Sequence, residues 1–263
     1  MATVILSTND NDNYLFYLPL VCWAWKKFDF DSLVIMPDRR SEKLQYVLKN
    51  TYARVEMFTP HNTYREDTQV QVSRLFAGCY DMPDDEYMIT SDVDMMPLSS
   101  YFFQWFQDIN YFGHDLTGYT HIPMCYVGMQ AGKWRELMSI RQGDDMVKMM
   151  CDEMTSYPEI LTGEFQKYWF TDQNIITQKL RAYGLDRCNK IDRGILNNGC
   201  AKGRVCRAYG FDIDIPHPTD AHLLRPGYEE HNFTRIFSLM QKIWPQEDLQ
   251  WVIDYRQGYM KYI

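Results

Sequence analysis

Apolar and polar positions alternate in blocks along the first hundred residues of the chain. Short runs rich in β-branched residues, typical of buried strands, are separated by longer stretches with helical spacing of apolar positions. Strands are predicted at residues 3–8, 32–37, 53–58 and 86–90. Helices are predicted between them, at residues 14–27, 41–50 and 68–80. Strands that alternate with helices indicate a parallel sheet with helices on its faces, so we predict an α/β fold.

The spacing changes after residue 98. A capped helix is predicted at residues 99–107, strands at 115–120 and 123–130, and a helix at 132–139. Residues 141–170 have weak periodicity, and we predict a long loop or irregular helices there. This half of the chain is therefore less regular than the first.

A regular pattern returns at residue 171. Thr171 or Asp172 is a suitable helix cap and Gly184 a suitable helix end, so residues 171–184 are predicted to be helical. Residues 207–217 alternate apolar and polar positions, which predicts a strand. The tail from about residue 230 is expected to be helical and to pack on the core.

Composition excludes several classes of protein. The chain has 263 residues, of which 46% are hydrophobic, so a sizeable core is available. Its net charge of -8 argues against a general nucleic-acid binder. No secretory signal is visible, and the apolar stretch at residues 14–25 is too short to span a bilayer. The seven scattered cysteines indicate reduced thiols, and we expect a cytoplasmic protein.

Paired aspartates are the most distinctive chemical feature. Four Asp-x-Asp pairs occur, at residues 10/12, 29/31, 92/94 and 212/214. Only Asp92 and Asp94 follow an apolar strand and precede further apolar chain, where carboxylates are costly unless they are paired or bound to metal. Oxygen ligands at this spacing suit Mg²⁺ or Mn²⁺, with a capping or turn role as the alternative.

The order of motifs resembles that of GT-A glycosyltransferases, in particular the glycogenin-like and bacterial galactosyltransferase-like group. The resemblance lies in four segments, at residues 73–106, 125–138, 171–180 and 217–227. It covers about residues 1–228, and compact enzymes of large algal viruses share its general look. Two departures are Asn174, where the group often has Asp, and the lack of a glycine soon after the late histidine.

The resemblance implies a mixed, mainly parallel central sheet of the Rossmann-like GT-A type, flanked by helices. We expect residues 1–263 to form a single catalytic domain. Its nucleotide-sugar half would span about residues 1–98, its acceptor and catalytic half 99–228, and its C-terminal helical segment 229–263. The chain is also compatible with one domain of a larger protein, located in the host cytoplasm if the source is viral.

The same resemblance implies a site for Mn²⁺ or Mg²⁺. Asp94 would bind the metal directly, and Asp92 would bind the metal, the ribose or both. The third ligand would be a late histidine, either His217 or His222, and the sequence leaves both open.

Donor contacts are implied at three other places. Ser7, Thr8 and Asn9 would meet the nucleoside at the end of the first strand. Arg74 would contact the donor phosphate or sugar, and Arg225 the diphosphate.

Asp172 is the best catalytic candidate, with Gln173 as a second residue at the donor sugar. By resemblance Asp172 would touch sugar hydroxyls or act as a base on the acceptor. The resemblance favours a retaining reaction. Three aromatic residues, Tyr168, Trp169 and Trp134, are candidates for packing against an acceptor sugar.

Together these motifs predict a metal-dependent glycosyltransferase. It would move a hexose, galactose or glucose by best guess, from a UDP-sugar to a hydroxyl of a glycan. One alternative is a nucleotidyltransferase that forms sugar nucleotides, but residues 7–13 contain none of the glycines that such enzymes use after the first strand. The other is an inactive module that binds glycan or nucleotide.

Overall fold

The structure is a computed structural model. It describes residues 2–100, 109–113, 121–157, 168–194 and 201–263. These residues form ten strands in two sheets. The strands are β1 (Ala2–Ser7), β2 (Asp31–Pro37), β3 (Arg54–Phe58), β4 (Tyr87–Thr90), β5 (Met95–Pro97), β6 (Asn110–Gly113), β7 (Val127–Gln130), β8 (Asn189–Asp192), β9 (Arg204–Cys206) and β10 (Asp220–His222).

Nine α-helices accompany the strands in the described residues. They are α1 (Asp12–Leu15), α2 (Leu18–Lys26), α3 (Glu42–Lys49), α4 (Glu66–Ser73), α5 (Ala131–Met138), α6 (Met146–Met154), α7 (Thr171–Tyr183), α8 (Glu230–Ile243) and α9 (Gln250–Tyr259). The helix predicted at 14–27 is divided in two, and the one predicted at 68–80 ends as a 3₁₀ helix over Arg74–Cys79. Among the described residues, no helix has the length and hydrophobicity of a membrane-spanning segment.

The large sheet has seven strands in the order β3-β2-β1-β4-β7-β6-β8. The first four of these are mutually parallel, as the alternation of strands and helices predicts. β7 is antiparallel to both of its neighbours, β4 and β6. The small sheet has the order β5-β10-β9, with β10 antiparallel to β5. The prediction of a mixed, mainly parallel α/β fold flanked by helices is therefore confirmed.

Apolar side chains cover both faces of the large sheet. Val4 and Leu6 of β1 point into a core shared with α2, α8 and α9. Ile5, between them, points into a second core shared with α4, α5 and α7. This two-sided burial explains why β1 is apolar along most of its length, as expected for a central parallel strand.

Two parts of the prediction differ from the structure. The strand predicted at 207–217 is wrong, since Arg207–Tyr209 is a 3₁₀ helix and Gly210, Phe211 and His217 have positive φ values. A regular helix, α6, lies within 141–170, where irregular structure was expected. The strand predicted at 115–120 and all but the first two residues of the helix predicted at 99–107 lie outside the described residues.

Candidate active site

A cleft opens where β1 and β4 end. These strands are parallel neighbours, so the residues that follow them meet at one edge of the sheet. Ten of the eleven predicted site residues line this cleft: Ser7, Thr8, Asn9, Arg74, Asp92, Asp94, Asp172, Gln173, His222 and Arg225. The structure does not bring in the eleventh, His217, whose side chain is exposed and whose φ is 49°. His222 is therefore the late histidine that lines the cleft.

The two carboxylates that follow β4 have different surroundings. The side chain of Asp92 is 39% exposed, and its Oδ1 accepts a hydrogen bond from Arg74 at 2.5 Å. The side chain of Asp94 is only 4% exposed, and its Oδ2 accepts a hydrogen bond from Arg207 at 2.6 Å. Both carboxylates are therefore paired with an arginine, but Asp92 is partly exposed to the cleft while Asp94 is buried.

Arg74 joins the two sides of the cleft. Its guanidinium group is buried and donates to the Ser91 carbonyl (2.9 Å), to Asp92 and to Asp172 (2.6 Å). Burial lowers the pKa of Arg74, but Asp92 and Asp172 overcome this effect and raise it, so Arg74 stays charged. Burial raises the pKa of Asp172 and the Arg74 charge lowers it, which leaves the pKa at about 6. Asp172 is therefore a carboxylate that changes charge near neutral pH.

Asp172 lies within the first turn of α7, where its Oδ1 accepts a hydrogen bond from the Gln173 amide at 2.8 Å and its Oδ2 accepts the one from Arg74. The prediction that Thr171 or Asp172 is the cap is wrong, since α7 is preceded by Phe170 with no side-chain cap. The Thr171 hydroxyl instead donates to the Tyr168 carbonyl at 2.8 Å. The predicted end at Gly184 is confirmed, with φ of 107° at that residue.

His222 reaches Asp94 through the small sheet. It pairs with Met95 across β10 and β5, and the Leu223 amide donates to the Asp94 carbonyl at 2.9 Å. Its Nε2 lies 3.3 Å from Asp94 Oδ2. Burial lowers the pKa of His222, but hydrogen bonds with Asp94 and Cys206 overcome this and raise it to about 9. Burial has the opposite effect on Asp94 and raises its pKa, but the contacts with His222 and Arg225 outweigh burial and bring the pKa below its usual value.

Two arginines share the carboxylate of Asp94. The Nε of Arg225, which was predicted to bind the diphosphate, lies 3.3 Å from Asp94 Oδ2, and its guanidinium stacks over the Tyr14 ring at 4.5 Å. Arg207 is the second arginine, and the sequence analysis missed it. It falls inside the wrongly predicted strand and lies 113 residues from Asp94 along the chain, so no local pattern marked it.

A buried ion cluster supports the strand that carries His222. Asp220, at the start of β10, accepts hydrogen bonds from Arg193 and Arg204, each at 2.8 Å. Its side chain is 2% exposed. Burial raises the pKa of Asp220, but the two arginines outweigh this and hold it well below its usual range. The cluster ties β8, β9 and β10 together next to the cleft.

The residues after β1 form the opposite wall. Thr8 is buried, and its hydroxyl donates to the Asn9 carbonyl at 3.1 Å. The Asn9 side chain accepts a hydrogen bond from the Asn11 amide at 3.2 Å. These contacts fix a turn whose polar groups line the cleft, where the sequence predicts a nucleoside.

The aromatic candidates on the acceptor side separate into two kinds. Trp169 lines the cleft. Tyr168 is buried, with the Arg65 guanidinium 4.4 Å from its ring centre. Trp134 is fully buried and donates from Nε1 to the Leu75 carbonyl at 2.6 Å. Of the three, only Trp169 is placed to meet a molecule in the cleft.

The chemistry of the cleft suits a divalent cation, although its present geometry does not. Carboxylate oxygens and an imidazole nitrogen are suitable ligands for Mn²⁺, and carboxylates suit Mg²⁺. No three acidic, histidine or cysteine side chains of the described residues are already placed to share one metal ion. Asp92 and Asp94 each direct an oxygen to a guanidinium group instead. A cation bound to those same oxygens would replace arginine contacts.

Comparison with solved structures identifies the class of fold. The chain has the GT-A fold of known glycosyltransferases. It superposes on the galactosyltransferase LgtC, solved with donor and acceptor sugar analogues, with a TM-score of 0.55 and 14% identity over 98% of this chain and 100% of that one. It superposes on an active-site glutamine-to-glutamate mutant of LgtC with a TM-score of 0.54 and 14% identity, over 92% and 96% of the two chains.

A third solved structure has the same architecture. The apo form of the glycosyltransferase GlyE from Streptococcus pneumoniae TIGR4 gives a TM-score of 0.52 at 10% identity, with 99% of this chain covering 63% of that one. No protein-family model matches the sequence, and no curated protein matches it. The similarity is therefore one of fold, and the GT-A fold predicted from the motifs is confirmed.

Proposed function

We propose that the protein is a metal-dependent glycosyltransferase that moves a hexose from a UDP-sugar to a hydroxyl group of a glycan. The observation that carries this proposal is the cleft itself. It joins a polar turn, two carboxylates, a histidine and an arginine-bound aspartate at the carboxyl edge of the sheet. The fold is shared with a galactosyltransferase solved with donor and acceptor sugar analogues, which supports the same class of reaction here.

Asp92, Asp94 and His222 would hold Mn²⁺ or Mg²⁺ in this cleft. When bound, the ion acts as a Lewis acid that neutralises the charge of a diphosphate leaving group. Asp94 is the central ligand in this proposal, because it already lies 3.3 Å from His222 Nε2.

The remaining residues would position the donor. Ser7, Thr8 and Asn9 line the cleft and would hydrogen-bond to the nucleoside, while Arg225, beside Asp94, would contact the diphosphate. The Arg225 guanidinium stacks over the Tyr14 ring and directs its Nε to Asp94, and the same planar group is suited to binding phosphate oxygens.

Asp172 and Gln173 would contact the transferred sugar. Asp172 is held in place by Arg74, and a carboxylate next to sugar hydroxyls accepts their hydrogen bonds. In the reaction the bond between the sugar C1 and the diphosphate oxygen would break and UDP would leave, a bond from C1 to the acceptor oxygen would form, and the proton of the acceptor hydroxyl would pass to the departing diphosphate. Two further parts of the proposal, retention of configuration at C1 and galactose or glucose as the sugar, rest on the resemblance of the motifs.

Trp169 is the proposed contact for the acceptor. It is the aromatic candidate that lines the cleft, close in the chain to Asp172. Sugar rings present apolar C–H faces that pack on indole rings. Replacing Trp169 by Leu should therefore raise the KM for the acceptor more than that for the donor.

The proposal is tested with a panel of nucleotide sugars, with and without Mn²⁺. We expect UDP-galactose or UDP-glucose to raise the melting temperature only with the metal, and UDP to be released by slow hydrolysis or by transfer to a glycan. A ligand at about 100 times its Kd stabilises the folded state by about 2.7 kcal/mol. Asp94→Ala should abolish the metal-dependent effects, whereas His217→Gln, outside the cleft, should preserve them. Absence of binding by every nucleotide sugar with either metal would refute the proposal.

A further inference from the structure

The carboxylate of Asp94 is crowded by positive groups. Arg207 donates to its Oδ2 at 2.6 Å, and Arg225 Nε lies 3.3 Å from the same atom. We propose that Arg207 has two alternative partners, Asp94 in the free protein and the diphosphate of the donor in the loaded protein. This inference rests on the proposed function, and it adds a diphosphate-binding residue that the motifs do not indicate.

The charges in the cleft support an exchange of partners. Arg74 is paired with two carboxylates, Asp92 and Asp172, both within 2.6 Å, so it has no positive charge to spare. In the described part of the chain, Asp94 is the only carboxylate within 4.0 Å of Arg207 or Arg225. Two guanidinium groups therefore share one carboxylate, and a unit of positive charge is left over. Such a site repels a lone divalent cation and attracts an anion.

Arg207 is better placed to move than Arg74. Its side chain is 23% exposed, against 5% for Arg74. Apart from Asp94, its hydrogen-bond partner is the Leu223 carbonyl, at the long distance of 3.4 Å. It begins a 3₁₀ helix of three residues. A guanidinium fork binds phosphate oxygens as well as carboxylate oxygens, so the exchange replaces one charge-assisted hydrogen bond with another.

A thermodynamic consequence follows for the binding of metal and nucleotide. Metal binding through Asp94 Oδ2 in the free protein breaks the bond between Arg207 and Asp94, whereas a bound diphosphate has already drawn Arg207 away. Each ligand therefore tightens the binding of the other, by the same factor. Removal of Arg207 should act in opposite directions on the two ligands. Mn²⁺ alone should bind more tightly, and UDP in saturating Mn²⁺ should bind more weakly.

The experiment is calorimetric titration of the unchanged protein and of Arg207→Gln with Mn²⁺ alone, with UDP alone and with UDP in saturating Mn²⁺. The expected changes in Arg207→Gln are a Kd for Mn²⁺ about tenfold lower and a Kd for UDP with Mn²⁺ about tenfold higher, the size of one charge-assisted bond. The Kd for UDP alone should change little. The factor by which each ligand tightens the binding of the other should therefore fall about tenfold. Arg207→Lys keeps the charge and should show the same signs with smaller changes, which provides a readout if Arg207→Gln does not fold.

Arg54→Gln is the matched control. It removes one charge from an exposed pair with Glu56 at the start of β3, outside the cleft, and should leave every Kd unchanged. If Mn²⁺ alone binds Arg207→Gln no more tightly than it binds the unchanged protein, the exchange of partners is overturned while the proposed function stands. If the unchanged protein binds Mn²⁺ but not UDP, both the exchange and the proposed function are overturned.

Discussion

The buried pair of Arg74 and Asp172 should be strongly coupled, and replacing Arg74 by Met tests this. The two side chains are 5% and 3% exposed, and their hydrogen bond is 2.6 Å long. Without Arg74 the Asp172 carboxylate is buried with no cation. Breaking a buried ion pair from one side costs about 3–5 kcal/mol, so we expect a loss of that size in the free energy of unfolding at pH 7.

The pH dependence of the free energy of unfolding tests the same interaction independently. The pKa of Asp172 is about 6 in the folded protein, above its ordinary value of 3.8. Between pH 3.8 and 6 the folded state therefore binds more protons than the unfolded state. The contribution of Asp172 to stability is thus present below pH 3.8 and is lost as the pH rises through 6. In Arg74→Met the pKa of Asp172 should rise further, so the loss of stability with rising pH should continue to higher pH. Asp172→Asn in the same background should remove this extension.

The assay is urea unfolding of Arg74→Met, Asp172→Asn and the double variant, which form a double-mutant cycle. We expect a coupling energy of about 2–3 kcal/mol, at the upper end for residues in contact. The exposed pair of Arg54 and Glu56 provides the control, where coupling should stay below about 1 kcal/mol. A coupling energy between Arg74 and Asp172 no larger than that of the control would refute the reasoning.

Three further predictions concern the same region. If transfer requires ionised Asp172, kcat/KM should fall below pH of about 6, and a profile that stays flat down to pH 4 would contradict this. In metal-free protein His222 has its pKa raised from 6.5 to about 9, so its contribution to stability is present below pH 6.5 and is lost as the pH rises through 9. His222→Gln should flatten thermal stability over that window and His217→Gln should not. Asp220→Asn leaves two buried arginines without their carboxylate and should cost about 3–5 kcal/mol in urea unfolding; a loss below about 1 kcal/mol would show that the cluster contributes little.

Much of the sheet could be predicted because its signals are local. β1 and β2 are short apolar runs that end at polar or proline residues, and β1 sends Ile5 to one core and its neighbours to the other. The place of the cleft followed from topology, since the ends of parallel strands meet at one edge. Asp92 and Asp94 were distinguished from the other aspartate pairs by the apolar segments that flank them.

The segment at 207–217 shows where the alternating pattern failed. Ile213 and Ile215 pack on the core that contains Val4 and Leu6, and helix α8 donates side-chain hydrogen bonds to the backbone of the segment. Arg235 donates to the Phe211 carbonyl at 3.1 Å, and Lys242 donates to the Ile213 carbonyl at 2.8 Å. Alternation reports which side chains are buried, and it does not report which element buries them. The error also concealed Arg207, because a strand residue would not have been expected to reach Asp94.

The small sheet explains why the late histidine could not be chosen from the sequence. His217 and His222 lie five residues apart, and both precede Arg225. Only the pairing of β10 with β5 places His222 opposite Met95, next to Asp94. That pairing depends on residues far apart in the chain, including the bonds from Arg193 and Arg204 to Asp220.

The distribution of charge in the cleft also bears on how an acidic protein could bind an anionic donor. The chain carries a net charge of -8, which opposes the approach of a nucleotide at long range. Around Asp94, however, Arg207, Arg225 and the raised pKa of His222 leave local positive charge in a partly buried wall. Fields between charges are screened over about 8 Å at physiological ionic strength, so the nearby wall outweighs the distant surface. The cluster of Arg74 with Asp92 and Asp172 holds more carboxylates than cations and adds no attraction, so under the proposed function the diphosphate would bind at Asp94 and the sugar at Asp172.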